Sequence, residues 1–373
     1  MKLFLENGIV MEGQSFGAQA ECEGEVVFTT GMSGYLEVLT DPSYFGQIVC
    51  FTFPLIGNYG VFQQESFLND IDRIYESHRI WARGVLVAEH SESFSHALGK
   101  SSFAQWLQKQ KIPALSNIDT RALTQILREH GTILGKIGHT KPKNFHDPLK
   151  GRFVPEVSPQ KMEILEPKNS IGKTIAFLDC GAKNGIFRNF LRRGVRVLRL
   201  PFDQNPFELK EKFDGLFLSN GPGDPETVTE TIEITRQALQ KNIPIFGICL
   251  GNQILARAAG GKTKKMKYGH RGVNQPVTDL NSGSKNSKSR FKRCLITTQN
   301  HGFEVDASSL PSEFKEWMIN LNDQSNEGIR HKTKPVFSVQ FHPEACAGPE
   351  DAQYLFDEFI ATLGRFFCSV LAH

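Results

Sequence analysis

The sequence lacks the features that mark secreted, membrane-spanning or disulfide-stabilised proteins. Its seven cysteines include no C-x-x-C pair, so we expect reduced thiols and neither a disulfide framework nor a zinc site. The longest stretch without a charged residue, 42–64, is interrupted by prolines and glycines, which argues against a membrane helix. Glu6 precedes any apolar run long enough for a signal peptide. We therefore expect a cytoplasmic protein with no membrane partner.

A strong excess of charge of one sign is also absent. Lys and Arg number 43 against 40 Asp and Glu, a formal net charge of +3, unlike the overall basicity of many nucleic-acid binders. One segment, 262–293, does hold ten basic residues and a single acid. Because no aromatic interleaving accompanies these charges, we predict no nucleic-acid partner and interpret residues 283–293 as a solvated loop.

The composition and the secondary-structure pattern of the sequence change near its middle. A length of 373 residues corresponds to two or three domains at about 150 residues each. Residues 1–150 carry short β-branched and aromatic runs between turn residues, which predicts a strand-rich domain with helices. Five prolines fall within 141–170, and we interpret 151–170 as a linker. From 171 to 373 strand and helix patterns alternate, which predicts an α/β domain with a mostly parallel sheet flanked by helices.

The sequence Gly247-Ile-Cys249-Leu-Gly251 has the spacing of a nucleophile elbow, with cysteine in place of serine. It stands where the apolar run 243–248 meets a helical pattern. Side chains two residues from a nucleophile on so tight a turn would crowd it, so both flanking positions need glycine. The helix N-terminus favours negative charge on sulfur, and the amide of Leu250 would face an oxyanion. We predict a nucleophilic Cys249; a buried cysteine at an ordinary turn is the alternative.

A partner for this cysteine follows another apolar run. His342-Pro-Glu344 comes after 336–341, so it should lie at a strand end, where His342 would accept the thiol proton and Glu344 would orient the ring. A surface histidine at a strand end is the alternative. The glycines of Ser219-Asn-Gly221-Pro-Gly223-Asp-Pro225 would let backbone N–H groups approach a ligand, although alone this loop is an ordinary turn. No phosphate-binding P-loop is found.

Together these motifs resemble a class I, or triad, glutamine amidotransferase. The amino-terminal half sharpens the resemblance. Segments 30–37, 39–44 and 57–60, together with Gln299-Asn-His-Gly-Phe303, are similar to the family of carbamoyl-phosphate synthetase small chains. The similarity extends from about residue 2 to about residue 363. The amidotransferase motifs are shared by several enzymes, whereas the amino-terminal motifs are specific to this one family.

The resemblance implies a reaction in which Cys249 attacks the side-chain amide of L-glutamine, assisted by His342 and Glu344. Ammonia would pass through a protected tunnel to a large chain that makes carbamoyl phosphate from bicarbonate and two ATP, for arginine or pyrimidine synthesis. It implies no cofactor or metal on this chain, ATP and Mg on the large chain, and a higher oligomer of small–large heterodimers. The residues that would hold glutamine are Ser43, Gly221, Gly223, Leu250, Gln253, Asn300, Gly302 and Phe303.

The chain departs from the family pattern at four places. Asn252 replaces a usual histidine, Cys346 replaces a usual serine, and residues 283–293 resemble an insertion. Within Gly269-His-Arg-Gly-Val-Asn-Gln-Pro276, Arg271 stands where the family commonly has a second histidine. None of these departures removes a member of the proposed triad.

Three other functions are compatible with parts of the sequence. One is an amidotransferase that feeds GMP, CTP or anthranilate synthesis, against which the 35–44 region argues. Another is a stand-alone hydrolase of γ-glutamyl amides that uses the same triad. The third is a non-catalytic regulatory subunit, against which the intact Cys249, His342 and Glu344 argue.

Overall fold

The computed structural model describes residues 1–282 and 293–364. The predicted solvated loop 283–293 therefore lies outside the described residues, except for Arg293. None of the described helices is long and apolar enough to cross a membrane. The six cysteines within the described residues are all free.

The amino-terminal half is built around an eight-stranded mixed sheet, in the order β2-β1-β14-β4-β5-β10-β13-β3. Strands β4, β5, β10 and β13 run parallel to one another, and the remaining pairings are antiparallel. The strands of this half are β1 (Lys2–Leu5), β2 (Val10–Glu12), β3 (Gln14–Ser15), β4 (Cys22–Thr29), β5 (Gln47–Phe51), β6 (Leu55–Ile56), β7 (Val61–Phe62), β8 (Ser66–Leu68), β9 (Ile71–Asp72), β10 (Gly84–Leu86), β11 (Glu89–His90), β12 (Gly99–Ser101), β13 (Ala114–Ser116) and β14 (Ile133–Gly138).

Three helices pack on this sheet: α1 (Tyr35–Thr40), α2 (Phe103–Lys109) and α3 (Thr120–His130). Aspartate is favoured just before a helix, and at the start of α3 the Asp119 side chain accepts a hydrogen bond from the Ala122 amide at 2.8 Å. It ends at Gly131, whose φ of 91° suits only glycine well. Leu123 and Leu127 of α3 are buried against the sheet, which fixes the helix on one face.

The proline-rich segment between the halves is more structured than its composition indicates. Helix α4 (Val154–Val157) and strand β15 (Glu163–Leu165) fall inside residues 151–170. Strand β15 pairs antiparallel with the strand 195–201 of the second half. Pro155 is tolerated in α4 because a helix accepts proline in its first turn, and Pro159 and Pro167 lie outside both elements.

The carboxyl-terminal half is built around a ten-stranded sheet, in the order β15-β17-β16-β18-β19-β24-β23-β22-β20-β21. The five strands from β17 to β24 in that order are parallel, and the α/β fold class is confirmed. The other pairings of the sheet are antiparallel, so the prediction of a mostly parallel sheet is wrong and the sheet is mixed. The strands are β16 (Lys173–Asp179), β17 (Val195–Pro201), β18 (Gly215–Leu218), β19 (Ile245–Ile248), β20 (Lys262–Asp279), β21 (Cys294–Asp306), β22 (Phe314–Asn320), β23 (Asn326–His331) and β24 (Val336–Val339).

Helices cover both faces of the parallel strands: α5 (Asn184–Arg192), α6 (Thr229–Gln240), α7 (Leu250–Ala258) and α8 (Tyr354–Ile360). Phenylalanines fill the core on the side of α5 and α8, where Phe190 packs edge-on against Phe217 and Phe356. Burying each such ring contributes roughly 1.5–3 kcal/mol. Pro349 precedes the apolar pattern of Leu355, Phe356 and Phe359 and so predicts a helix that begins at 349. That start is wrong, because residues 351–353 form turns and the helix begins at Tyr354.

Candidate active site

The nucleophile elbow lies where β19 ends and α7 begins. Cys249 is the residue before the helix, with φ 56° and ψ −105°, and only 3% of it is exposed. Its amide donates to the carbonyl of Val339 in β24 at 2.8 Å, which fixes the turn to the neighbouring strand. The thiol faces the carbonyl oxygen of Asn300 at 3.6 Å. The first amides of α7 have no partner within the helix, so they are available to an oxyanion beside the sulfur.

The two glycines of the elbow are required by close backbone contacts. A Cβ at Gly247 would lie 2.6 Å from the carbonyl oxygen of Gly251, and a Cβ at Gly251 would lie 2.3 Å from that of Leu218. In the neighbouring loop, a Cβ at Gly221 would lie 2.2 Å from the carbonyl oxygen of Cys180. These backbone segments cannot shift without disturbing the elbow, because Gly251 belongs to α7, Leu218 to β18, and Cys180 directly follows β16.

We expect Gly251→Ala to lower the melting temperature and to reduce glutamine hydrolysis by at least about tenfold, because a nucleophile misplaced by ~1 Å is costly. Gly151→Ala is the control, since its Cβ would meet nothing closer than 3.3 Å. Thermal unfolding and a glutaminase assay of both variants measure the effect. A Gly251→Ala protein that matches the control in both would contradict the close packing of the elbow.

His342 lies beside the elbow because β24 runs parallel to β19 and both end at the same edge of the sheet. The His342 amide donates to the Thr298 carbonyl at 2.8 Å. Its Nδ1 lies 2.6 Å from Oε1 of Glu344, while its buried Nε2 has no hydrogen-bond partner among the described residues. This arrangement leaves Nε2 free to exchange a proton with a reacting group.

A buried lysine completes this cluster, and the sequence analysis did not identify it. Lys183 is 3% exposed, and its Nζ lies 3.1 Å from Oε1 of Glu344. Nζ also donates to the carbonyl of Ala345 at 2.8 Å. The Lys183 amide is held by the side chain of Asn220 at 3.1 Å. Lys183 thus supplies a second cation to the carboxylate that orients His342.

Electrostatics in this cluster favour a charged imidazole. Burial tends to lower the pKa of His342, but the Glu344 carboxylate and the Cys249 side chain together raise it. Burial tends to raise the pKa of Glu344, but Lys183 and His342 hold it well below its ordinary value. A cationic ring beside a thiol is the environment that activates cysteine nucleophiles. The cluster is therefore poised for attack by sulfur on a carbonyl carbon.

A cavity opens in front of Cys249, between the two halves of the chain. Seven of the eight residues predicted to hold glutamine line it, and the eighth, Leu250, directly follows Cys249. The seven are Ser43, Gly221, Gly223, Gln253, Asn300, Gly302 and Phe303. A second cavity, lined by His342 and Lys183, shares Asn300 with the first. The structure therefore brings all these residues together, while their roles remain predictions.

The amino-terminal half shapes this cavity through Asp41. One oxygen of Asp41 accepts from the Ser43 amide at 2.9 Å, and the other accepts from the Asn300 side chain at 3.0 Å. The Ser43 hydroxyl in turn accepts from the Asn220 side chain at 2.9 Å. Asp41 therefore links a turn of the first half to a strand of the second. Its place in the segment 39–44 was the only sequence signal for this role.

The departures from the family pattern have different structural consequences. Asn252 is completely buried. Its side chain hydrogen-bonds to those of Gln340 at 3.1 Å and Ser338 at 2.8 Å, so it holds α7 against β24 and the residue that follows it. Cys346 lies 3.3 Å from the guanidinium of Arg188, away from the nucleophile's cavity. Arg271, in contrast, lines the cavity itself, and the sequence analysis assigned it no role.

Among the described residues, one buried group has the side chains of a metal site: His270, His301 and Glu327. Its ring nitrogens already have partners. Nε2 of His270 lies 2.9 Å from Asp323, and His301 contacts the Phe303 carbonyl at 2.9 Å and Gln299 at 3.2 Å. These bonds favour a hydrogen-bonded network that supports the strand carrying Asn300, and we assign no metal to it.

This network should make stability depend on pH. Burial lowers the pKa of His270, but hydrogen bonds to Asp323 and Glu327 outweigh it and raise the pKa to about 9. The folded protein thus holds a proton that the unfolded chain releases near pH 6.5. The stabilisation from His270 is complete below pH 6.5 and is lost as the pH rises towards 9.

We therefore expect the free energy of unfolding of the parent to fall more steeply between pH 6.5 and 9 than that of His270→Asn. Chemical denaturation at several pH values measures both slopes. His96→Asn, at an exposed position, should follow the parent. Equal slopes for parent and His270→Asn would contradict the assignment of a charged His270.

Each half of the chain matches a known protein family. Residues 3–137 match the family model "Carbamoyl-phosphate synthase small chain, CPSase domain", and residues 176–362 match "Glutamine amidotransferase class-I". The arginine-specific small chain of carbamoyl phosphate synthase from Emericella nidulans is 44% identical, over 99% of this chain and 80% of the relative. The corresponding protein of Neosartorya fischeri is 43% identical, over 99% of this chain and 81% of the relative.

Two further similarities differ in extent. The chain is 45% identical to the multifunctional protein pyr-3 of Neurospora crassa over 97% of its own length, but it spans only 21% of that protein. The crystal structure of a glutamine amidotransferase from Thermotoga maritima is 21% identical, with a TM-score of 0.38, over 46% of this chain and 76% of its own.

Proposed function

The chain belongs to the family of carbamoyl-phosphate synthase small chains, and from that premise we propose how its site works. The family hydrolyses glutamine to supply nitrogen for carbamoyl phosphate, and this chain is the glutamine-hydrolysing component. The observation that carries the proposal is the cavity in which Cys249 of the amidotransferase half faces Ser43 of the small-chain half. Such a site needs both parts of the chain that the family models match.

In the proposed reaction, the thiol proton of Cys249 passes to His342, and the thiolate attacks the amide carbon of L-glutamine. The amides at the start of α7 and the Gly221 loop stabilise the oxyanion. His342 then protonates the leaving nitrogen, ammonia departs, and water hydrolyses the glutamyl thioester to glutamate. Glu344 keeps Nδ1 of His342 protonated and the ring oriented, and Lys183 holds Glu344 as a carboxylate.

We propose that the ammonia reaches a large-chain partner that carries ATP and Mg and uses bicarbonate. The second cavity, next to His342 and Lys183, supports a separate exit for ammonia, because glutamine would occupy the first. Relatives named as arginine-specific small chains support arginine synthesis as one use of the product. The multifunctional pyr-3 keeps pyrimidine synthesis open as the other. We further propose a cytoplasmic complex assembled from small–large heterodimers.

Copurification with a candidate large chain, followed by an ATP-turnover assay, tests this function. Glutamine should stimulate ATP turnover only when bicarbonate is present, and carbamoyl phosphate should form. Glutamine hydrolysis that neither needs nor responds to any large chain would instead favour a stand-alone γ-glutamyl hydrolase. A chain with no glutaminase activity in either state would indicate a regulatory subunit.

A further inference from the structure

A buried guanidinium that forms no ion pair among the described residues lines the cavity in front of Cys249. Arg271 is only 4% exposed. Its Nη1 donates to the carbonyl of Tyr268 at 2.7 Å, whereas its buried Nε has no hydrogen-bond partner among the described residues. Among those same residues, no carboxylate oxygen lies within 4.0 Å of a guanidinium nitrogen of Arg271, so Arg271 forms no ion pair there. A buried charge left in this state is costly unless an anion joins it.

The single acid among the described residues that line this cavity is already engaged. Oε1 of Glu25 lies 3.0 Å from Nζ of Lys265, and Oε2 accepts from the side chain of Gln47 at 3.0 Å. The cavity wall therefore holds two cations, Lys265 and Arg271, against one carboxylate. It carries an unbalanced positive charge that an anionic group of a ligand would neutralise.

The backbone holds Arg271 firmly in this position. Arg271 pairs in register with Asn300 across strands β20 and β21. Its carbonyl accepts from the amide of Thr30 at 3.1 Å, which ties it to the amino-terminal half. Its Nη2 lies 3.3 Å from the point where a Cβ on Gly302 would stand. The guanidinium thus lies beside Gly302, in the wall of the cavity that the Gly221 loop also lines.

We propose that Arg271 binds the α-carboxylate of L-glutamine and thereby selects for substrates that carry a free α-carboxylate. This inference rests on the proposed function, because it takes the amide end of glutamine to be at Cys249. The α-carboxylate is the one anionic group of that substrate, and a planar guanidinium can donate to both of its oxygens. Binding would give the guanidinium a carboxylate partner of its own, because the acid that acts on it in this cavity, Glu25, is paired with Lys265. Arg271 is therefore a specificity-determining residue of this chain.

Binding to the inactive Cys249→Ser protein tests the proposal without turnover. Calorimetry compares L-glutamine with L-glutamine α-amide, in which the carboxylate is replaced by an uncharged amide. We expect Arg271→Met to weaken L-glutamine binding at least about tenfold, as for loss of a charged hydrogen bond, and to change binding of the α-amide less than about threefold. The affinity of Arg271→Lys for L-glutamine should lie between those of the parent and Arg271→Met, because lysine keeps the positive charge but loses the planar guanidinium. Lys262→Met, an exposed residue on the same strand, should bind both ligands like the parent.

Kinetics of the variants with Cys249 intact add a second readout. Arg271→Lys should raise the KM for L-glutamine with little change in kcat, since the carboxylate lies away from the reacting carbon. If Arg271→Met does not fold, Arg271→Lys carries the same comparison.

The outcomes separate this inference from the proposed function. If the parent hydrolyses glutamine but the Arg271 variants lose affinity for both ligands equally, or for neither, Arg271 is not the carboxylate ligand. If the parent neither binds nor hydrolyses glutamine, the proposed function itself fails. If Arg271→Met loses affinity for L-glutamine but not for the α-amide, the result supports both the proposed function and the role of Arg271.

Discussion

Cys249→Ser is expected to abolish glutamine hydrolysis, with a fall of at least about 10³-fold, while ammonia-driven synthesis by the complex with the large chain continues. Removal of a nucleophile that acts within a triad typically costs this much or more. Serine fits the 3%-exposed site, so the elbow and the contact with the partner should persist. A serine hydroxyl is far less acidic than a thiol, and the cationic His342 cannot activate it to the same degree.

Two assays with one control distinguish lost chemistry from lost structure. Glutaminase activity and ammonium-dependent carbamoyl phosphate formation are measured on the same preparation. Cys294→Ser changes an exposed cysteine and should leave both activities at the parent level. Near-parent glutaminase activity in Cys249→Ser would remove Cys249 from the mechanism.

His342→Asn is expected to reduce glutamine hydrolysis by roughly 10²-fold or more, which is the range of general-base effects. Asparagine has no titrating nitrogen to take the thiol proton or to protonate the leaving ammonia. Ammonia-driven synthesis should be unaffected, because those steps lie on the large chain. The ratio of glutamine-driven to ammonia-driven synthesis measures the loss directly.

Glu344→Gln should reduce activity less, since His342 remains in place, but it should also lower the melting temperature. The change leaves the ammonium of Lys183, 3.1 Å away and equally buried, without its carboxylate, which is destabilising for a buried pair. Thermal unfolding and the glutaminase rate are therefore measured together. If both His342→Asn and Glu344→Gln hydrolyse glutamine at the parent rate, the His–Glu pair serves structure alone.

The parts of the fold with strong local signals were predictable from the sequence. Helix α3 carries its own cap at Asp119 and its own stop at Gly131. The elbow was predictable because its backbone demands glycine at 247 and 251, where an added Cβ would lie 2.6 and 2.3 Å from a backbone carbonyl oxygen. A feature that depends on a single turn can be predicted from a few consecutive residues.

The long hairpin of β20 and β21 left no comparable signal. Its register shifts between Lys265 and His270 and again between Gly272 and Gln275, so no alternation of period two survives along β20. Its outer lysines also resemble those of a solvated segment. One of them, Lys265, instead forms the ion pair with buried Glu25. The conformation of β20 therefore depends on contacts with residues far away in the sequence, which a local pattern does not show.

Buried charges were the parts of the site that sequence reasoning missed. Lys183 and Arg271 are surrounded in sequence by ordinary turn and strand residues, and a lone basic residue is usually exposed. Only the fold shows that Glu344 reaches Lys183 and that Arg271 faces the cavity of Cys249. The triad was easier to predict, because each member stands at the end of an apolar strand.

Labelling with an electrophilic glutamine analogue tests the role of Cys249 most directly. The chain is treated with the analogue, digested, and analysed by mass spectrometry for modification at each of its seven cysteines. We predict modification at Cys249 alone, at a rate that L-glutamine slows by competition and that His342→Asn reduces. Modification at another cysteine, or labelling of Cys249 that L-glutamine does not slow, would contradict a glutamine site at this nucleophile.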